Sequence, residues 1–194
     1  DEGIDLLEIA KKYEQNNVSC LSILTDEKYF HGSIHDLIKI RENTTIPILR
    51  KDFIVDEYQI YESKLYGADC ILIILSMLDQ INADRFARIA FELNLDTIIE
   101  VHNVDELQRA KSMNSNMIGI NNRNLNTFVT DLETTIKLAK HIENSDKLLI
   151  SESGFHSKND IKKIYESTGV NNFLIGEFLM KSDNLTSQLK ELLN

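Results

Sequence analysis

Helical and strand patterns alternate from one end of this chain to the other, which makes it α/β. Six of its seven apolar strands run into a charged or amide residue at the same end, and the pattern opens on a helix. Strict βα alternation at short spacing builds a parallel sheet with right-handed crossovers. Curled into a (β/α)8 TIM barrel, such a sheet gathers every strand C-terminus on one rim, where these barrels do chemistry. The rim residues are Asp26, Lys51, Glu100, Asn121, Glu152 and Glu177. A barrel of this kind takes about 250 residues, whereas this chain has 194 and does not start with Met. The expectation is one domain over residues 1–194, lacking its first strand and an N-terminal extension.

Leu6, Leu7, Ile9, Ala10 and Tyr13 recur at helical spacing, so a helix is expected over Ile4–Asn16. Cys20–Leu24 is a short apolar strand, and Ser33 is an N-cap for a helix carrying Leu37, Ile38 and Ile40. Pro47, the only proline, opens a strand over Ile46–Leu49, where a missing N–H is tolerable. A helix over Asp56–Tyr66 stops at Gly67. The continuous apolar run Cys70–Leu75 suits a strand buried on both faces. A helix over Asp79–Leu93 and a strand over Thr97–Val101 follow, and Asn103 caps the next helix, which carries Leu107 and Ala110. Met117–Ile120 is a strand, and Thr130 or Asp131 begins a helix reaching His141. Leu148–Ile150 is a strand, then Ile161, Ile164 and Tyr165 mark a helix ending at Gly169. Phe173–Ile175 and Leu185–Leu193 are the last strand and helix.

Composition narrows the class. Hydrophobic and charged contents of 42% and 27% are ordinary for a soluble globular domain. The longest apolar run is far too short to span a bilayer, and residues 1–3 are acidic, unlike a signal peptide. A net charge of −10 argues against nucleic acid, so an anionic ligand must be drawn in by a few local cations and helix N-termini. Cys20 and Cys70 read as small buried hydrophobes in a reducing cytoplasm. The five histidines are scattered, with no metal-ligand spacing.

Lys51 sits at a strand end within Leu49-Arg50-Lys51-Asp52-Phe53. A lysine pulled partly out of water can donate a proton near neutrality; a solvated loop lysine is the competing reading. Glu100 ends an apolar strand, and buried carboxylates are rare unless paired or functional. Lys51 and Glu100 could form an acid/base couple across the barrel mouth or a structural ion pair. Asn121 and Arg123 could orient a carboxylate or hydroxyl, or could be turn residues. Ser153-Gly154 and Gly176-Glu177 end the last two strands, where such barrels bind phosphate through backbone N–H groups. Tyr29, Phe30 and Phe53 suit either an aromatic substrate or core packing.

Six segments, in order and at barrel spacing, carry a resemblance. They are SILTDEKYFHGS (22–33), PILRKDFIVDEYQIYES (47–63), IIEVHNVDEL (98–107), IGINNRNL (118–125), ISESGF (150–155) and FLIGEFLM (173–180). Together they resemble the indole-3-glycerol phosphate synthases of tryptophan biosynthesis, which are carbon–carbon lyases. The resemblance implies ring closure, decarboxylation and dehydration of 1-(2-carboxyphenylamino)-1-deoxyribulose 5-phosphate, with no cofactor or metal. It implies a cytoplasmic enzyme, monomeric when complete, whose partner is this small phosphorylated substrate. It also implies roles for individual residues. Lys51 would be the general acid on the ribulose carbonyl, and Glu100 would act in the later proton transfers. Asn121 would position Glu100 and substrate, with Arg123 supporting its loop. Phe53 and Leu72 would line the anthranilate slot, and Ser153, Gly154, Gly176 and the Glu177 backbone would bind phosphate. Asn124 and Phe155 stand where the family usually has Asp and Ile. The family's first strand, an EIK…SPS segment with a second lysine, is not in this sequence. An inactive fragment that binds phosphate or associates through its open edges is therefore the alternative. Another phosphate-binding barrel, such as phosphoribosylanthranilate isomerase, is less suited, because neither Cys stands at a strand end.

Overall fold

The computed structural model describes residues 5–142, 146–182 and 184–193. The described elements run α1 (Leu6–Gln15), β1 (Leu21–Leu24), α2 (Ile34–Arg41), β2 (Ile48–Lys51), α3 (Tyr58–Leu65), β3 (Cys70–Ile74), α4 (Gln80–Glu92) and β4 (Asp96–Val101). They continue with α5 (Val104–Lys111), β5 (Met117–Asn121), α6 (Glu133–Ala139), β6 (Leu148–Glu152), α7 (Lys158–Thr168), β7 (Asn172–Leu174), α8 (Glu177–Met180) and α9 (Leu185–Leu193). Every strand pairs in parallel with the next, in the order β1 to β7.

The sheet is strongly curled. β2 and β6 are four places apart, a span of roughly 19 Å across a flat sheet. Yet Lys51 Nζ of β2 comes within 3.9 Å of Glu152 Oε2 of β6. Only a sheet bent toward closure brings those side chains together. The described strands β1 and β7 each pair on one side alone, so the barrel is open between them.

Period-2 alternation divides the core into two layers. Leu49, Leu72, Ile74 and Ile98 point into the barrel with Met117, Ile150 and Leu174. Ile71, Ile73, Leu75, Ile99, Val101, Ile118 and Ile120 point outward, against Phe86, Ala87, Ala90, Leu107 and Ala110 of α4 and α5. Strands buried on both faces need this continuous apolar sequence, which is why β3 carries no polar break.

Ser33 and Asn103 cap their helices as the sequence places them, and Asp79 and Ser157 are two further caps; each accepts from a first-turn N–H. Ile4, the expected start of α1, lies outside the described residues; Asp5 is the N-cap. Gly67 ends α3 at φ +86, and a Cβ there would also meet Arg41 Cγ at 2.6 Å. Arg41 needs that space to reach Asp69 at 2.9 Å, whose carboxylate also accepts from Ile48 N at 2.8 Å. This contact at the foot of β2 replaces Pro47 as the strand's start, so β2 begins at Ile48 and runs on to Lys51.

Two expectations need correction. Cys20 is exposed, because it precedes the edge strand β1, whose outer side carries no neighbouring strand among the described residues. Cys70 is partly buried, and both thiols are free. The helix α8 adds an element, since four residues are too few to show periodicity in sequence.

Candidate active site

Strand register sets the height of each inward side chain. Lys51 lies level with Leu24, Ile74 with Glu100, Glu100 with Gly119, and Asn121 with Glu152. The apolar interior therefore ends in one polar layer at the C-terminal rim. Lys51 Nζ stands 3.7 Å from Glu100 Oε2 and 3.9 Å from Glu152 Oε2. Both carboxyls are 1% exposed, whereas the lysine keeps 21% of its side chain in solvent. These are ion-pair distances, longer than hydrogen bonds, so the lysine bridges two acids without being locked to either.

The two acids differ in charge. Burial pushes Glu100 up, but His102, Lys51 and Asn121 outweigh it and hold the carboxyl below its ordinary range. Burial and the neighbouring Glu100 charge push Glu152 up to about 8, with Lys51 pulling only partly against them. Two carboxyls this close do not both ionise cheaply, so the pair favours a single charge, with Glu152 the member pushed toward its neutral form. No donor group among the described residues reaches either Glu152 oxygen or Glu100 Oε2, and the Glu152 carboxyl, when protonated, can donate to Glu100. A buried carboxyl with no donor beside it is a candidate functional group. Its room comes from Gly119, where a Cβ would lie 1.9 Å from Glu152 Oε1.

Buried networks behind the rim fix these strand ends. Arg50 and Asp52 flank Lys51 and point outward. Arg50 pairs with Asp52 at 2.9 Å and Glu62 at 2.8 Å, and donates to Gln59 O and Ser63 Oγ of α3, each at 3.1 Å. Thr25 Oγ1 donates to Asp52 at 2.6 Å and so ties in the end of β1. Asn122 performs the same service for β5 and β6. Its Nδ2 reaches Ser151 Oγ, Glu152 O and Ser153 O, and its Oδ1 accepts from the Thr135 N–H and hydroxyl.

Aromatic rings border the cluster. Phe30 stacks on Phe53 at 4.8 Å between centroids, and Tyr29 meets Phe53 edge-on at 5.5 Å. Lys51 Nζ lies 5.8 Å from the Phe30 ring centre. Leu72 is sealed within the inner core, level with Ile98 and two residues below the Ile74–Glu100 layer. It is the floor beneath the mouth, and Ile74 is the β3 side chain at the height of the acids.

The remaining expected site residues gather on the neighbouring loops. Asn121 is buried and its Oδ1 accepts from Arg123 N at 2.9 Å. Arg123 holds the Glu177 carboxylate at 2.6 Å. Glu177 also accepts from Lys181 at 2.7 Å, and these two cations bring its pKa down to about 2. Ser153 and Gly154 both take positive φ, 66° and 83°, in a sharp turn after β6. A left-handed serine is uncommon and strained, a conformation met most often at functional sites. Ser153 N donates to Leu174 O at 3.4 Å, which sets this turn beside Gly176, the residue that opens α8. Asn124 makes the turn an Asp would make, accepting from Asn126 N and Thr127 N. Phe155 is buried edge-on to Phe173.

His102, Glu106 and Gly119 belong to the site and escape the search for site motifs. The available signal is local: His102 follows Glu100 by two residues, and Asn103-x-x-Glu106 is a capping box that folds Glu106 back onto it.

Fold and rim together define a (β/α)-barrel protein with an acid–base cluster at its strand C-termini. Comparisons narrow that class. The family model for indole-3-glycerol phosphate synthase matches residues 1–192. The indole-3-glycerol phosphate synthase of Legionella pneumophila (strain Paris) is 46% identical over 192 residues, 99% of this chain and 74% of that protein. That of Neisseria meningitidis serogroup C is 42% identical over 185 residues, 95% of this chain and 70% of that protein. In fold, the chain is similar to a crystal structure of 3-hexulose-6-phosphate synthase, with a TM-score of 0.77 at 13% identity, covering 96% of this chain and 91% of that one. A second such structure, from Salmonella typhimurium, has a TM-score of 0.75 at 15% identity, covering 99% and 93%. The chain belongs to the indole-3-glycerol phosphate synthase family.

Proposed function

We propose that this chain converts 1-(2-carboxyphenylamino)-1-deoxyribulose 5-phosphate to indole-3-glycerol phosphate, carbon dioxide and water at the rim just described. The observation that carries this is one lysine ammonium beside two buried carboxyls at the strand C-termini, 3.7 Å from Glu100 and 3.9 Å from Glu152. Ring closure forms a bond between the anthranilate carbon bearing the carboxylate and the ribulose carbonyl carbon. Lys51 protonates the carbonyl oxygen as that bond forms. The carboxylate then leaves as carbon dioxide, and its bonding pair restores the arene. In the dehydration the new hydroxyl leaves as water, and the methylene carbon beside nitrogen loses a proton. Glu152, held neutral, is suited to donate to the leaving oxygen, and Glu100, held ionised, to take the proton.

Substrate placement follows the layout. The arene lies over Leu72 and Ile74 against Phe53 and Phe30. Asn121 fixes substrate hydroxyls and Glu100, with Arg123 supporting its loop. Ser153, Gly154, Gly176 and the Glu177 backbone hold the phosphate. That anchor converts binding energy into orientation of the reacting atoms. Among the described residues no helix is long and apolar enough to cross a membrane. A cytoplasmic enzyme with this small phosphorylated substrate as its partner completes the proposal, supported by two free cysteines and a net charge of −10.

The test follows indole fluorescence after mixing chain and substrate, in a protein with no Trp to obscure it. A rising signal that Lys51→Ala and Glu100→Gln abolish is expected. A flat trace from the parent chain overturns the proposal for this chain and favours the alternative of a phosphate-binding fragment with open edges at β1 and β7.

A further inference from the structure

His102 is mostly buried, and each of its ring nitrogens faces a carboxylate. Nδ1 is hydrogen-bonded to Glu106 Oε2 at 3.1 Å, and Nε2 is 3.2 Å from Glu100 Oε1, an ion-pair distance without hydrogen-bond alignment. A neutral imidazole carries one N–H, so its other nitrogen would turn a lone pair toward an anion. Only the doubly protonated ring suits both neighbours.

Glu106 is itself held rigidly. It is the third residue of α5, and its N–H is bound by the N-cap Asn103 Oδ1 at 2.9 Å. Its Oε1 accepts from Asn103 Nδ2 at 2.7 Å, and its Oε2 from the His102 N–H at 2.8 Å. The helix N-terminus favours its negative charge. Glu100 then has one oxygen toward His102 and the other toward Lys51.

We propose that His102 is a positioning residue for Glu100: an imidazolium clamped between Glu100 and Glu106 that keeps Glu100 ionised and aimed at the barrel mouth. The chain of support runs from the start of α5 through Glu106 and His102 to the base. The charged groups around the ring are Glu100 on its own strand, Glu106 on α5, and, across the mouth, Lys51 of β2 and Glu152 of β6. Burial works against the charged ring, but Glu100 and Glu106 together raise its pKa to about 9. The clamp gives Glu100 its purpose only if Glu100 serves the proton transfers proposed above.

The test is an NMR titration of isotope-labelled chain, reading the His102 ring nitrogens and the Glu100 carboxyl carbon. In the parent chain both ring nitrogens should carry protons at pH 7.5. In Glu106→Gln the ring should lose its proton about one pH unit lower or more, and in His102→Gln the Glu100 carboxyl should titrate about one unit higher or more. Turnover in His102→Gln should fall about tenfold or more in kcat, with KM nearly unchanged. A ring that is neutral at pH 7.5 in the parent chain overturns the proposal without recourse to any variant. An unmoved Glu100 titration in folded His102→Gln overturns it as well. These signals read the clamp whether or not the chain turns over, whereas failure of the synthase proposal shows as a flat fluorescence trace with the clamp intact.

Discussion

Raising the pH from 6.5 to 8 should weaken this fold, because two groups at the rim keep protons that the unfolded chain releases. Glu152 ionises at about 8 in the fold against an ordinary 4.5, and His102 at about 9 against 6.5. For both groups the folded value is the raised one, so their contribution is full below the unfolded pKa and is lost as pH climbs through the folded pKa. Glu100 has the opposite shift, so its contribution is lost only as pH falls below the carboxylate range and stays constant in this window. One proton held by the folded state alone changes stability by about 1.4 kcal/mol per pH unit. With both groups partly titrated across the window, stability should drop by about 3 kcal/mol between pH 6.5 and 8, with roughly equal shares from each. Both side chains are largely buried, so solvent screening removes little of this. Urea unfolding followed by far-ultraviolet circular dichroism, at fixed ionic strength, measures it. Glu152→Gln should flatten the fall by about half. A flat or rising profile in the parent chain, or a full fall in Glu152→Gln, would refute the protonation states assigned to the rim.

Other substitutions probe the supports. Gly119→Ala puts a methyl 1.9 Å from Glu152 Oε1 and 2.9 Å from Ile98 Cγ2, so it should cost about 1–3 kcal/mol and displace the Glu152 carboxyl; unchanged melting and turnover would contradict this. Arg50→Met strands the buried Asp52 and removes the partner of the half-buried Glu62, at about 3–5 kcal/mol by chemical denaturation, while Arg50→Met with Asp52→Leu should recover much of the loss. Asn122→Ala leaves Thr135 and the carbonyls of Glu152 and Ser153 short of a partner, which should cost about 1–3 kcal/mol and raise KM for the phosphorylated substrate more than it lowers kcat. Ser157→Ala removes the N-cap hydrogen bond to Asp160 N at the start of α7 and should cost about 1 kcal/mol by chemical denaturation.

The fold was legible because its information is local. Short apolar runs such as Cys70–Ile74, bounded by turn residues, suit strands buried on both faces, and Ser33 and Asn103 announce their helices by chemistry that acts within one turn. What sequence patterns did not reveal depends on neighbours far along the chain. Cys20 looks like Cys70 in sequence, yet one precedes an edge strand and is exposed while the other starts an interior strand. Leu72 looks like a wall residue until register puts it two residues below the rim layer.

The site divides in the same way. Lys51 and Glu100 stand out as charged endings of apolar strands, but 49 positions separate them, and only the curl of the sheet shows that they meet. The difference between Glu100 and Glu152 is invisible in sequence, where both are glutamates ending strands. It arises because Glu100 has His102 and Asn121 beside it as well as Lys51, whereas Glu152 lies over Gly119 with Lys51 alone to oppose its burial and the Glu100 charge. The outward neighbours of the rim residues are equally hidden. Arg50, Asp52 and Asn122 read as ordinary loop polars, yet they are buried behind the site and tie its strand ends to α3 and α6. An open barrel places its acids accurately only if such networks hold each strand end from outside. The inward groups can then be left partly unsatisfied, as Glu152 is, and so remain available to a substrate.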